Sequence, residues 1–326
     1  MGDMTEVNHH RPAAVARRSP RELARARLLD LLGDLPTESE PPSARLVNRE
    51  ERKLYTLDRL VLRLNGIEEV PAFFISPSVR GGVSAPGKRP ALLYFHSHGH
   101  HYDLGKRELT DGVEYMANPP YAEVCGQLGI CALVIDQWGF GERHRETESE
   151  LFKRFLWEGR LLWGMMIYDS LRALDYLAAR DDIDSARIAS LGMSMGSTLS
   201  WWTAALDERI AFCVDLCCLT DYQSLIAEGG LDLHGLYYYV PRLLKYFTTS
   251  SINALIAPRP HLSLQGDNDA LTPRAGIDAV DAELKRVYET EKAPANWSLH
   301  RFPCGHQELP EMRKIIVDRL AAWATR

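Results

Sequence analysis

Gly192-Met193-Ser194-Met195-Gly196 is the stretch of this sequence best suited to do chemistry. Ile188-Ala189-Ser190-Leu191 precedes it, a short and mostly apolar run of the kind that forms a buried parallel strand. A segment rich in Thr, Leu, Trp and Ala follows and reads as a helix. A serine on a sharp turn between strand and helix sits in a strained backbone, with its hydroxyl pushed out of the sheet. Glycines are needed on either side because a β-carbon there would strike the neighbouring strand or helix. The helix that starts at the serine turns its free N–H groups and positive end toward any anion formed there. Gly-x-Ser-x-Gly alone arises by chance in small-residue turns. The strand before it and the helix after it make Ser194 the candidate nucleophile.

A serine hydroxyl needs a base within hydrogen-bond reach, and that base needs a third group to orient it. In an open α/β sheet such groups collect at the carboxyl ends of strands. The strand expected to end at Leu264 runs into Gln265-Gly266-Asp267-Asn268-Asp269, a turn with two carboxylates. The last expected strand runs into Phe302-Pro303-Cys304-Gly305-His306, which makes His306 the candidate base. The order serine, aspartate, histidine is the one this kind of sheet uses. Either aspartate could merely make the turn; Asp269 is favoured as the acid, with Asp267 as the alternative.

A competing chemistry lies in His96-Ser97-His98-Gly99-His100-His101, four histidines in six residues at a strand end. Imidazole is a good zinc ligand, and the run is similar to the His-x-His-x-Asp-His ligand motif of metallo-β-lactamase-fold hydrolases. His100 stands where that motif needs aspartate, and a metal reading leaves the serine turn, the acid turn and His306 unexplained. The expectation is therefore no metal and no cofactor. His98 would pack structurally, and His100 or His101 would line the substrate entrance.

The elements that must position these groups follow a doubly wound pattern. From Ala91 onward strands and helices alternate, the signature of a mostly parallel sheet with helices on both faces. The expected strands are Ala91–Phe95, Ile130–Ile135, the run before Ser194, Ile210–Leu216, His261–Leu264 and Trp297–Phe302. The expected helices are Tyr121–Leu128, Leu161–Ala179, one near Ala275–Tyr288, and Pro310–Trp323. Upstream, Leu57–Leu64 and Val70–Ile75 suggest two antiparallel edge strands, and residues 81–90 a loop. Ser19-Pro20-Arg21-Glu22 reads as a capping box before a helix that Gly33 ends. Residues 1–53 are expected to be a flexible N-terminal segment with that helix and a Pro/Ser/Glu-rich connector at 34–53. Residues 54–326 form one domain. Leu219–Ser250 breaks the rhythm and reads as a lid-like insertion over the active site, with Leu231, Leu233, Leu236 and three tyrosines supplying apolar walls.

Composition excludes other functions. The formal net charge of −6 comes from 38 basic and 44 acidic residues interspersed along the chain, which argues against nucleic-acid binding. No apolar run reaches the roughly 18 residues of a membrane span. Residues 1–18 are polar and unlike a secretory signal. The six cysteines lack zinc-finger or disulfide spacing, and the cytoplasm is the expected compartment. The sequence leaves a homo-oligomer open.

Taken together the motifs resemble an α/β-hydrolase, and within it the dienelactone-hydrolase-like and acetyl-xylan-esterase-like serine esterases. The residues that carry the resemblance are His98-Gly99-His100, Asp136-Gln137-Trp138-Gly139-Phe140-Gly141-Glu142, the Ser194 turn, Ala257-Pro258-Arg259-Pro260 with Gly266-x-x-Asp269, and Gly305-His306. The resemblance implies Asp269 as the acid and the backbone N–H groups of Met195 and His100 as oxyanion donors. Dienelactone hydrolases proper use cysteine where this chain has Ser194, which favours an ordinary ester. Trp138 and Phe140, past a strand's carboxyl end, are candidate pocket walls, as are His234 and Tyr237 in the insertion. The expected function is hydrolysis of small, short-acyl carboxylic esters through an acyl-enzyme. The alternatives are an amidase or peptidase with the same triad, or a non-catalytic binding protein.

Overall fold

The computed structural model describes residues 18–78 and 87–325. Nine strands form one sheet: β1 Ser43–Glu51, β2 Tyr55–Arg63, β3 Glu69–Pro77, β4 Arg89–Phe95, β5 Cys131–Ile135, β6 Ile183–Met193, β7 Ile210–Leu216, β8 His261–Gly266 and β9 Trp297–Phe302. Their spatial order is β1-β2-β3-β5-β4-β6-β7-β8-β9. β1, β2 and β3 pair antiparallel, β3 meets β5 antiparallel, and β4 to β9 are parallel. The inner parallel strands are buried on both faces, so β5 reads Cys-Ala-Leu-Val-Ile with every residue buried, while the edge strand β9 is mostly half-exposed. Helices Leu162–Ala178, Met195–Leu206 and Arg274–Thr290 pack on one face. Helices Tyr121–Leu128 and Pro310–Ala324 pack on the other.

The expected elements recur with small boundary shifts, and two findings correct the sequence reading. Residues 34–53 are not only a connector: β1 lies within them and pairs with β2. Its residues are almost all exposed and largely polar, which blunts an edge against further pairing and removes the apolar alternation that marks a strand. A helix at Glu148–Trp157 was also not expected, although Thr147 and Glu150 form a capping box at its start. The capping box at Ser19 and Glu22 is present as expected. The N-terminal stretch expected to be flexible lies, through residue 17, outside the described residues, as does most of the expected 81–90 loop. Among the described residues no helix is long and apolar enough to cross a membrane.

Between β7 and β8 the sheet buries an ion pair. His261 Nε2 donates to Asp215 Oδ2 at 2.7 Å, and both side chains are fully buried. Ser263 Oγ and Gln265 Nε2 donate to Asp215 Oδ1 at 2.8 and 3.0 Å. Burial alone would depress the imidazole pKa, but the Cys213 sulfur and the Asp215 carboxylate outweigh it and carry the pKa up to about 10. A raised folded-state pKa adds stability that is complete below the unfolded value of about 6.5 and is lost as pH climbs through 10. Denaturant-unfolding stability should therefore fall between those pH values. The fall should be absent from the Asp215→Asn, His261→Gln double variant, which can keep the hydrogen bond without the charges. An equal fall in both proteins would place the titrating group elsewhere.

Candidate active site

The Ser194 turn is built by close backbone approach. β6 ends at Met193, and the helix Met195–Leu206 starts one residue after it. A β-carbon on Gly192 would lie 2.6 Å from the Phe95 carbonyl oxygen, and one on Gly196 would run into the same atom. Ser194 has φ +59° and ψ −120°, a conformation that costs a non-glycine residue about 1–3 kcal/mol. Its backbone N–H donates to the Leu216 oxygen at 2.9 Å, which ties the turn to the end of β7. The amide of Met195 occupies the first helical position, where no acceptor exists within the helix.

Asp269 and His306 come from the loops after β8 and β9. The two loops are joined by backbone bonds from Asp267 N–H to the Phe302 oxygen (2.7 Å) and from Asn268 N–H to the Cys304 oxygen (2.9 Å). His306 Nδ1 lies 2.7 Å from Asp269 Oδ2. A carboxylate can only accept, so the shared hydrogen sits on Nδ1 and leaves the Nε2 lone pair free. Asp269 Oδ1 accepts the Leu271 N–H at 2.9 Å, and the carboxylate is shut off from solvent. Asp267 points elsewhere: Arg301 pairs with it at 2.6 Å. Of the two expected acids, only Asp269 meets His306.

Ser194 and His306 open on one cavity of about 350 Å³, large enough for a small ligand. The rest of its wall includes His98, Gly99, His100 and Tyr102 from one side. Asp232, Leu233, His234, Gly235 and Tyr237 of the insertion form the other side. The insertion thus forms one wall of this cavity, which His234 and Tyr237 line. Leu231 and Leu236 do not; they are partly exposed, and of the three leucines only Leu233 faces the cavity. His234 Nε2 donates to the Leu271 oxygen at 3.0 Å, and burial lowers its pKa, so it stands neutral.

Trp138 and Phe140, expected as walls, are placed in the core instead. Phe140 packs under the rings of His98 and Tyr102, 5.2 Å from each. Trp138 is held between Phe155 at 5.2 Å and the Arg143 guanidinium at 4.2 Å. The loop that carries them is drawn inward by Asp136, which accepts from the Lys106 backbone (2.7 Å), the Lys106 ammonium (2.6 Å) and the Glu142 backbone (3.0 Å).

The histidine run is parcelled out among protein partners. His96 donates from Nδ1 to the Ser97 oxygen (2.9 Å) and accepts the Gln137 N–H at Nε2 (3.1 Å); burial lowers its pKa to about 4. His98 accepts the His100 N–H at Nδ1 (3.2 Å), so Nε2 carries the hydrogen and donates to Glu148 at 2.9 Å. Neither imidazole keeps a lone pair for a cation. His100, at φ +60°, lines the cavity, but the amide expected to face an oxyanion is engaged by His98.

Glu148 is the site residue that sequence reasoning missed. It is buried, and it also accepts from the Tyr102 hydroxyl (3.1 Å) and the Tyr237 N–H (2.9 Å). The capping box at Thr147 marks its helix in the sequence; nothing local marks its partners.

No protein-family profile matches the chain. The Bacillus subtilis (strain 168) protein named "Putative hydrolase YtaP" is 47% identical over 299 residues, 92% of this chain and 98% of that protein. The chain belongs to the YtaP family. Among solved structures, a glucuronoyl esterase from Solibacter usitatus superposes with a TM-score of 0.67 at 14% identity, covering 92% of this chain and 91% of that one. Acetyl xylan esterase 1 from Thermoanaerobacterium sp. JW/SL YS485 gives a TM-score of 0.62 at 16% identity, with 93% of each chain covered. At such identities the likeness establishes the α/β-hydrolase fold of this YtaP-family chain.

Proposed function

We propose that this chain is a serine esterase that cleaves small carboxylic esters through an acyl-enzyme. The observation that carries the reading is the His306–Asp269 pair opening on the same cavity as a serine held at positive φ. His306 Nε2 takes the Ser194 proton as the oxygen attacks the ester carbonyl, and Asp269 stabilises the imidazolium that forms. The Met195 amide donates to the tetrahedral oxyanion, with His100 as the second donor once its N–H turns from His98. The alcohol leaves with the proton from His306, and water, activated by the same imidazole, releases the acid. Family membership and the esterase neighbours support the reaction class. The serine nucleophile argues against dienelactone as substrate. All six cysteines are free, which suits the reducing cytoplasm.

The small cavity and the buried Tyr237 behind it argue for a short acyl group. Each further methylene is worth about 0.8 kcal/mol only while there is apolar wall to cover it. A p-nitrophenyl ester series below micelle-forming concentrations should give higher kcat/KM for acetyl to butyryl than for octanoyl. A rate still rising through octanoyl and decanoyl would mean an open acyl groove and would end the short-chain reading. No ester turnover anywhere in the series, with intact fluorophosphonate labelling, would favour amides.

A further inference from the structure

Cys217, the residue after β7, has no part in the reaction above, yet it stands beside the dyad. One ligand atom each from Cys217, Asp269 and His306 lies within 4.8 Å of the other two. Cys217 is fully buried and has φ +53°, a left-handed conformation that side-chain-bearing residues rarely adopt. Its backbone N–H donates to the Leu264 oxygen at 2.9 Å, which fixes the turn that presents the thiol. Among the described residues the thiol meets only one acceptor, the Gln307 carbonyl oxygen at 3.6 Å. Burial and the nearby Asp269 carboxylate push its pKa well up, so it is an uncharged thiol at rest.

We propose that Cys217, Asp269 and His306 form an inhibitory binding site for a thiophilic divalent cation of the zinc and cadmium class. Thiolate, imidazole and carboxylate are the donors zinc takes in protein sites. Bond lengths near 2.0–2.3 Å to each ask the donors to stand a little over about 3 Å apart. Asp269 and His306 are now 2.7 Å apart, so the pair must open slightly while the thiol moves in. Water from the cavity that His306 lines would supply the fourth ligand.

The inference rests on the proposed triad for its effect. On binding, the Cys217 thiol proton passes to solvent and the thiolate takes the cation. The cation also takes His306 Nδ1, and the proton that sat there moves to Nε2. No group is oxidised or reduced. An Nε2 that carries hydrogen has no lone pair to accept the Ser194 proton, so the enzyme holds its base in the wrong tautomer. Asp269 changes from hydrogen-bond acceptor to metal ligand. Inhibition follows without any change at Ser194.

Zinc chloride titrated into p-nitrophenyl acetate hydrolysis should inhibit the wild-type protein, and EDTA should restore the rate. Chelator alone should leave the basal rate as it was. Cys217→Ala should keep that basal rate and need at least about tenfold more zinc, the loss seen when even a group supporting a metal ligand is removed. Cys304→Ala, which removes the neighbouring thiol, should keep wild-type zinc sensitivity. If Cys217→Ala fails to fold, Cys217→Ser makes the same comparison. Equal zinc sensitivity in the Cys217 variant, or no inhibition of the wild type, overturns the site. A second readout does not depend on turnover: cadmium added to Ser194→Ala protein should give a thiolate charge-transfer band that is lost when Cys217 is also replaced. A band that survives the loss of Cys217 overturns the site. A Cys217-dependent band in a protein with no esterase activity would support the site and remove the proposed function instead.

Discussion

Ser194→Ala is expected to lower kcat for ester hydrolysis by about 10⁴-fold or more while leaving the fold intact. The size of the effect follows from what remains. Without the hydroxyl no acyl-enzyme forms, and only binding and oxyanion stabilisation act on a water attack. The strain argues the same way. A serine kept at φ +59°, between glycines whose β-carbons would strike the Phe95 carbonyl, is held there at a cost. Alanine at that position keeps the strain and loses the nucleophile, so the variant should be no more stable for the change. Fluorophosphonate labelling read by mass spectrometry gives the check. Stoichiometric labelling of the variant would remove Ser194 from the mechanism.

Asp269→Asn should cost about three to four orders of magnitude in kcat, and Asp267→Asn far less. The carboxamide that replaces the Asp269 carboxylate can present its N–H₂ to His306 Nδ1. That favours the tautomer with hydrogen on Nε2, which cannot accept a proton from serine. KM should change little, because Asp269 is buried behind His306 and not against substrate. Asp267 is paired with Arg301 at a partly exposed site, where an ion pair is worth at most about 1 kcal/mol of stability. The two variants make the same change of oxygen to nitrogen at positions two residues apart. The opposite ranking in kcat would overturn the assignment of the acid.

The inner parallel strands were legible in the sequence because they are buried on both faces and read as largely apolar runs between helical periods. Ser194 and Asp269 lie just past such strands, where a polar residue in the following turn is conspicuous. His306 follows the half-exposed edge strand β9, and its signal was its place past the last strand's carboxyl end. β1 was not legible, because an exposed edge strand satisfies its backbone on one side only and has no apolar face to bury. Trp138 and Phe140 were misplaced for a different reason. Their position past a strand end says which side of the sheet they emerge from. It does not say that Asp136, bonded to Lys106 and Glu142, folds their loop back into the core. Glu148 was missed because its importance lies in partners 46, 50 and 89 residues away, and no local pattern encodes such pairings.

One carboxylate therefore joins the two walls of the cavity. Glu148 holds the insertion by the Tyr237 amide and holds the His98 turn by its imidazole. Two segments that share such an anchor do not fluctuate independently. By thermodynamic reciprocity, a bound group that favours one arrangement of the His98 turn favours the matching arrangement of the insertion by the same free energy. On the proposed reaction, acyl groups pressed against Tyr237 and charge gathering near His100 would be felt by each other, although no atom of substrate connects them through Glu148. Substrate selection and transition-state binding would then be two readings of one linked equilibrium.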